Sequence, residues 1–373
     1  MKLISNAPPM RRYSRVTLLL MLLPVIALSL GCFARGAASA GGWSGAAIAE
    51  DTLYIGSMES TLLALDIETG RPKWSFPSGK SDIIGVIYGR PAVAGDRVIV
   101  GGDKGNLFAL DAKNNGTTIW EFSSEGAIVG GPALAEDTVL VGSSDGNLYA
   151  LNIQDRSLRW KFRTGGKIWA TPAVEDGKVY FGSLDHTFYA LDLSTGEELW
   201  RLPTKGAIAS TPLISDGKVF VGTFEGIFYA LNASTGQEVW RFGAENWFWS
   251  RAVTAGSRVF VGSLDGNLYA LDKDTGQLHW SAKTEGPILG EPVIVGDSIA
   301  VASDDKDVHL IRQKDGFEEW SYNVGAPIRA PLASADGILY LSTLNRCIWA
   351  LNVERGTVKW NWDTKKSQSG CGS

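Results

Sequence analysis

A unit of about forty residues, repeated eight times, constrains this chain more than any other feature. One copy runs from Ala190 to Trp200 and reads as the end of a strand, a tight turn and a second strand. In the turn, Asp192 is placed to accept hydrogen bonds from backbone amides, and Gly196 permits a positive φ. The tryptophan presents a large apolar surface, which needs a neighbouring element to bury it.

The spacing of these tryptophans indicates the architecture. From Trp120 to Trp360 they lie forty residues apart, and only the interval after Trp74 is longer, because of loop insertions. Such a period, with several short strands and a tryptophan in each unit, is typical of β-propeller blades. The sequence therefore predicts an all-β, eight-bladed β-propeller of four-stranded antiparallel blades. The predicted blade-docking residues are Trp74, Trp120, Trp160, Trp200, Trp240, Trp280, Trp320 and Trp360.

Turn signals divide each repeat into four predicted strands. In the fourth repeat these strands cover 170–174, 178–183, 187–191 and 198–202. Every blade is then a contiguous stretch, and the ring closes by packing of blade eight against blade one. A strand exchanged across the closure is the alternative. The propeller is predicted over 43–362, and the polar segment 363–373 is predicted to be a mobile C-terminal tail.

Residues 1–31 have the pattern of a lipoprotein signal peptide. Basic residues precede an apolar run over 16–30, which is short for a membrane span. The sequence at 28–32 resembles a bacterial lipobox and makes Cys32 the lipidated residue, although Ser29 stands where leucine is usual. Residues 32–42 then form a linker. The alternatives are cleavage after residue 40 at an A-x-A site and an uncleaved anchor. The prediction is an exported protein, membrane-anchored in the cell envelope.

The charge of the chain argues against one class of partner, and its cysteines allow a disulfide. The net charge of -5 and the scattered basic residues exclude a stripe that could neutralise phosphates, so no nucleic acid is expected to bind. With Cys32 lipidated, Cys347 and Cys371 remain. In an exported protein this pair either forms a disulfide that ties the tail to blade eight or stays as two free thiols.

The motif Ala-x-Asp-x-x-Thr-Gly-x-x-x-Trp, complete at 64–74, 190–200 and 270–280, resembles the tryptophan-docking repeat of pyrroloquinoline quinone (PQQ)-like propellers. The resemblance covers 43–362. It implies either a quinone-dependent dehydrogenase or a non-catalytic, BamB-type lipoprotein of outer-membrane barrel assembly. Those dehydrogenases clamp the quinone with an adjacent cysteine pair, which this shorter sequence lacks. The resemblance therefore favours the BamB-type hypothesis, in which the protein is a monomeric scaffold that binds a protein partner and no PQQ. A PQQ-dependent dehydrogenase is the alternative.

No residue pattern predicts catalysis or a metal site. His186, His279 and His309 fall in different blades at unmatched positions, and each is expected to be a satisfied surface side chain. The acidic run 304–307 lacks the glycine and the final glutamate of a calcium loop, so a solvated turn is expected there.

The residue type just before each first strand differs from blade to blade. First strands line the channel of a propeller, so these residues are expected at its mouth. Aligned on the docking tryptophans, this position holds large side chains in several blades and Ile328, followed two residues later by Ala330, in the last blade. The predicted channel-mouth residues are Trp43, Tyr88, Arg90, Trp169, Trp249, Arg251 and Glu291. Aromatic rings beside arginines are typical of peptide or small-ligand surfaces, including a glycan sensor. The alternative is that the rings only fill the wide end of the ring.

Overall fold

The structure is a computed structural model that describes residues 44–77 and 83–371. The described residues contain strands and no helix, and thus no helix with the length and apolar character to cross a bilayer. The predicted signal peptide, Cys32, the linker and Trp43 lie outside the described residues.

The first strands of the blades are three residues long: β1 (Ala47–Ala49), β5 (Ala92–Ala94), β9 (Ala133–Ala135), β13 (Ala173–Glu175), β17 (Leu213–Ser215), β21 (Val253–Ala255), β25 (Val293–Val295) and β29 (Ala333–Ala335). The second strands are almost wholly buried: β2 (Thr52–Gly56), β6 (Arg97–Gly101), β10 (Thr138–Gly142), β14 (Lys178–Gly182), β18 (Lys218–Gly222), β22 (Arg258–Gly262), β26 (Ser298–Ala302) and β30 (Ile338–Ser342).

The third strands are mostly buried: β3 (Leu62–Asp66), β7 (Asn106–Asp111), β11 (Asn147–Asn152), β15 (Thr187–Asp192), β19 (Ile227–Asn232), β23 (Asn267–Asp272), β27 (Asp307–Arg312) and β31 (Cys347–Asn352). The fourth strands are the most exposed: β4 (Pro72–Phe76), β8 (Thr117–Ser123), β12 (Leu158–Arg163), β16 (Glu198–Pro203), β20 (Glu238–Gly243), β24 (Leu278–Lys283), β28 (Glu318–Asn323) and β32 (Thr357–Asp363).

Each blade pairs its four strands in chain order and antiparallel, so the eight-bladed propeller is confirmed. No described strand is exchanged between blades. Blade eight packs on blade one through an apolar cluster that includes Leu53, Ile55, Tyr340 and Ile348. The ring therefore closes by side-chain packing between contiguous blades.

The docking tryptophans join each blade to the next. Trp200 Nε1 donates a hydrogen bond to the carbonyl of Ala233, in the turn of the following blade, at 3.1 Å. The same bond recurs at all eight junctions, and Trp360 donates to Ile67 to complete the ring. Within its own blade the tryptophan pairs with an alanine opposite, as Trp200 does with Ala190, next to a β-bulge; in blade seven Leu310 takes the place of this alanine, opposite Trp320.

Two sequence predictions about boundaries are wrong. The first strand of blade four begins at Ala173, not at residue 170, because the residues before it belong to the loop that enters the blade; blade six, with Ala252 in place of Pro172, begins its first strand at the equivalent residue. The segment after residue 362 is not a free tail. It adds a fifth strand, β33 (Gln368–Ser369), to blade eight, and Cys371 forms a disulfide with Cys347.

Candidate functional site at the channel mouth

The channel mouth is built from the loops that join one blade to the next, and the loops before blades three, four, six and seven are each held at two points. In the loop before blade six, Phe248 is fully buried against Gly222, where a Cβ would lie 2.3 Å from the phenylalanine Cβ. The amide of Glu245 donates to Asp265, in the hairpin tip of blade six, at 3.2 Å. The residue after the buried one, Trp249, is then directed into the mouth.

The same construction is repeated around the ring. Ile168 is fully buried against Gly142, and Gly165 donates to Asp185, so that Trp169 lies in the mouth. A buried apolar residue followed by a mouth residue is thus the local rule that positions these side chains.

The mouth encloses a cavity of about 200 Å³. Six of the seven predicted mouth residues line it, and the seventh, Trp43, lies outside the described residues. The predicted residues found together are Tyr88, Arg90, Trp169, Trp249, Arg251 and Glu291.

The assignment of the last blade in the sequence alignment is wrong by one residue. Ile328 is fully buried and corresponds to Ile288, whereas Arg329 and Pro331 line the cavity in place of Ile328 and Ala330. Arg329 is held by Asp304, with Nη2 and Oδ2 2.9 Å apart. The signal for Arg329 is present in the sequence, since it stands forty residues after Leu289.

Glu291 links two arginines from different blades. Its Oε1 lies 3.3 Å from Arg251 Nη1, and its Oε2 lies 3.3 Å from Arg90 Nη2. Arg90 also donates to the carbonyl of Leu332 at 3.0 Å. A second cavity of about 380 Å³, lined by first-strand residues, shares Arg90 and Glu291 with the mouth cavity. The ion pair therefore lies between the two cavities.

Trp169 and Trp249 line the cavity, and further aromatic rings stack on Trp249 outside the cavity lining. Phe224 stacks between Trp247 and Trp249, with ring centroids 4.6 and 5.2 Å away. Trp169 donates from Nε1 to the hydroxyl of Ser144 at 3.0 Å. Sequence reasoning missed Phe224, because it lies in the hairpin tip of blade five, outside the aligned loop. Burial, with a smaller effect of Asp103, raises the pKa of Tyr88, so this phenol stays protonated at neutral pH.

The acidic run 304–307 and His309 form a cluster whose side chains are engaged with the protein. Asp305 accepts hydrogen bonds from the amides of Glu285 and Asp307 and contacts His309 Nε2 at 3.1 Å. His309 Nδ1 lies 2.9 Å from Glu318. His309 is buried, contrary to the expected surface position, because it occupies the place that a tyrosine fills in blades three to six.

Eight blades closed by docking tryptophans, with a small polar and aromatic mouth, define a PQQ-like repeat propeller. The family profile described as outer membrane protein assembly factor BamB matches residues 33–162, 113–223, 164–246, 224–309 and 290–372. The chain belongs to this family. No match to this sequence was found among curated proteins.

Solved structures share the fold. BamB from Moraxella catarrhalis superposes with a TM-score of 0.72 at 21% identity, covering 82% of this chain and 95% of that one. A computationally designed protein, Ika8, gives 0.73 at 17% identity over 84% and 97%. Quinohemoprotein alcohol dehydrogenase from Comamonas testosteroni gives 0.69 at 15% identity over 81% and 70%. The same fold thus occurs in an assembly factor, a designed protein and an enzyme.

Proposed function

We propose that this protein is a non-catalytic scaffold of the cell envelope that binds a protein partner. The observation that carries the proposal is the match to the BamB family along residues 33–372. The mouth is consistent with it, because the residues that line this cavity include no histidine or cysteine and a single carboxylate, Glu291, already held by two arginines. A nucleophile with an adjacent base is therefore not assembled there.

The test of the scaffold is cross-linking in intact envelopes, followed by affinity capture of the propeller. We expect a reproducible protein partner, retained after stringent washing. A released, non-lipidated form serves as a control for capture that depends only on membrane association. Repeated failure to recover any partner with the wild-type chain would contradict the proposal. Light scattering of the isolated propeller is expected to give the mass of a monomer.

The proposed anchor is a lipid on Cys32. Metabolic labelling with a fatty acid is expected to mark the wild-type protein and to be lost in Cys32→Ser. Labelling that persists in the variant would exclude Cys32. Unlabelled wild-type protein whose N-terminus is residue 41 would instead establish release by cleavage after residue 40.

We further propose that the protein works without PQQ, because the docking tryptophans are used between blades. In all eight of them the indole N–H is bonded to the next blade. Addition of PQQ and calcium is expected to give no protein-bound quinone absorbance and no dye-linked alcohol oxidation. Either signal would support the dehydrogenase alternative.

A further inference from the structure

Arg90, Ser250, Arg251 and Glu291 form what we call the floor of the mouth, and this group contains more positive than negative charge. Arg90 and Arg251 share the single carboxylate of Glu291 through contacts of 3.3 Å each. Charge-assisted hydrogen bonds of good geometry are shorter, about 2.7–2.9 Å. Arg329, the third arginine in the wall, is matched by Asp304. The group of Arg90, Arg251 and Glu291 therefore has a net charge of one positive unit and loose internal contacts, in a chain whose net charge is -5.

Hydrogen-bond donors also exceed acceptors at this floor. Within the described residues, the buried Nε atoms of Arg90 and Arg251 and the hydroxyl of Ser250 have no hydrogen-bond partner. Ser250 is only 5% exposed and lies between Trp249 and Arg251 in the cavity wall. Buried polar groups without partners cost about 1–3 kcal/mol each. A group that brings acceptors, and allows the guanidinium groups to turn toward them, would reduce that cost.

The shape of the mouth limits the size of such a group. The cavity of about 200 Å³ is smaller than the roughly 300–1,000 Å³ of pockets that hold whole cofactors. Between Trp169 and Trp249, blade five contributes only Ala209 and Thr211 to the wall, which leaves a slot beside the stacked rings. A space of this size suits a single side chain, whose apolar part would lie on Trp249.

We propose that the channel mouth binds one carboxylate carried on an extended segment of the protein partner. Arg90 and Arg251 pair with the incoming carboxylate, Glu291 yields part of its contacts to it, and the stack of Trp249, Phe224 and Trp247 supports the adjoining apolar group. The inference rests on the proposed function in one respect, because it takes the carrier of the carboxylate to be a protein.

Direct titration of the mature protein tests the recognition step. The probes are N-acetyl-tyrosyl-glutamyl amide and its glutaminyl counterpart, which differ only in charge, with free glutarate as a third probe. By calorimetry we expect the glutamyl peptide to bind about tenfold more tightly than the glutaminyl peptide, because a carboxylate forms the stronger hydrogen bonds with guanidinium. Equal affinities would overturn the proposal. Glutarate binding more tightly than the peptide would overturn the peptide source and assign the mouth to a small free acid.

Two substitutions in the mouth are expected to change the affinity for the glutamyl peptide in opposite directions. Arg251→Gln is expected to weaken the glutamyl peptide about tenfold, whereas Glu291→Gln is expected to tighten it severalfold, since the neutral amide no longer competes for the arginines. Arg241→Gln is the matched control, because Arg241 pairs with Glu238 on an outer strand. Melting temperatures establish that each variant is folded. Weaker binding in a folded Glu291→Gln variant would contradict the exchange.

The partner experiment separates this inference from the scaffold proposal. Loss of the captured partner in Arg251→Gln, and its retention in Arg241→Gln, would support both. A partner that Arg251→Gln retains in full would overturn the role of the mouth and leave the scaffold intact. If the wild-type protein binds the peptide probe but captures no partner, the scaffold proposal is overturned and carboxylate binding at the mouth is retained.

Discussion

At the residue scale, the glycine of the docking turn has two functions. Gly196 has φ +73°, and a Cβ there would lie 2.5 Å from Trp160 Cδ2 of the preceding blade. Gly177, in the hairpin between β13 and β14, has φ +71° and no atom within 4 Å of the same point. The two positions share the left-handed backbone and differ in the neighbouring ring.

This pair predicts the stability of two alanine variants. Gly177→Ala should lose about 1–2 kcal/mol, from a left-handed alanine alone. Gly196→Ala should lose about 1–3 kcal/mol more, because the methyl group meets the indole of Trp160 in a packed junction. Urea unfolding of the two variants measures the difference, and equal losses would show that the ring moves away at no cost.

His309 gives a second comparison at this scale. Its counterparts in blades three and four, Tyr149 and Tyr189, donate to the hairpin-tip aspartate at 2.8 Å. His309→Tyr should keep the bond to Asp305 and stay within about 1 kcal/mol of the parent. His309→Phe should lose about 1–3 kcal/mol, because Asp305 then loses a buried partner.

Thermal unfolding of the two variants beside the parent measures this order. A phenylalanine variant as stable as the tyrosine variant would show that the bond to Asp305 is unimportant.

Residue roles in the repeat could be predicted from the sequence, because each depends on short-range chemistry. Asp192 accepts hydrogen bonds from the amides of Ser194 and Thr195, as its place in the turn requires. Arg156 is less predictable: it takes the place of the turn glycine in blade three, with φ +61°, and donates to the carbonyl of Glu121.

At the scale of the element, the third strands carry buried tyrosines with altered ionisation. Burial, followed by the hydrogen bond and charge of a nearby carboxylate, raises the pKa of Tyr149, Tyr189 and Tyr229 to about 12. An unfolded tyrosine ionises near pH 10. Between about pH 10 and 12 the unfolded chain therefore loses these protons first.

The propeller should accordingly lose stability as the pH rises through this window. Each such tyrosine contributes a decrease of up to about 1.4 kcal/mol per pH unit, and its contribution is fully present below pH 10. Urea midpoints between pH 9 and 11.5 measure the slope. Tyr189→Phe should reduce this slope by the contribution of one tyrosine. An identical slope in that variant would contradict the assignment of the pH dependence to buried tyrosines.

Loops between blades are where prediction from the sequence reaches its limit. The period of forty places Trp169 and Trp249 at the mouth, because the loops before blades four and six have the same length. It does not reveal that Phe224 stacks on Trp249, since that contact joins a hairpin tip to a loop 25 residues later. The link from Arg90 to Glu291 spans 201 residues and depends on closure of the whole ring.

At the scale of the whole molecule, blade eight is reinforced beyond the others. It has the fifth strand β33, and the disulfide from Cys347 to Cys371 closes a segment with a sequence separation of 24. Cys371 also packs against the apolar cluster of blades seven and eight. The C-terminal segment thus secures the last blade of the ring.

Loss of this bond should destabilise the propeller by about 3.5 kcal/mol, the chain-entropy value for a closed loop of this size. Calorimetry of Cys371→Ser, compared with Cys347→Ser and the oxidised parent, measures the effect. The parent should approach the variants when a reductant is added. If the oxidised parent melts at the same temperature as the variants, the disulfide does not stabilise the propeller.

The joint between blades eight and one repeats the joints elsewhere, with Trp360 bonded to Ile67 as every other tryptophan is bonded to its neighbour. Where the polypeptide starts and stops is therefore not a requirement of the architecture. Circular permutants that join residue 371 to residue 44 through a linker, and open the chain in another loop between blades, should assemble the same eight-bladed ring.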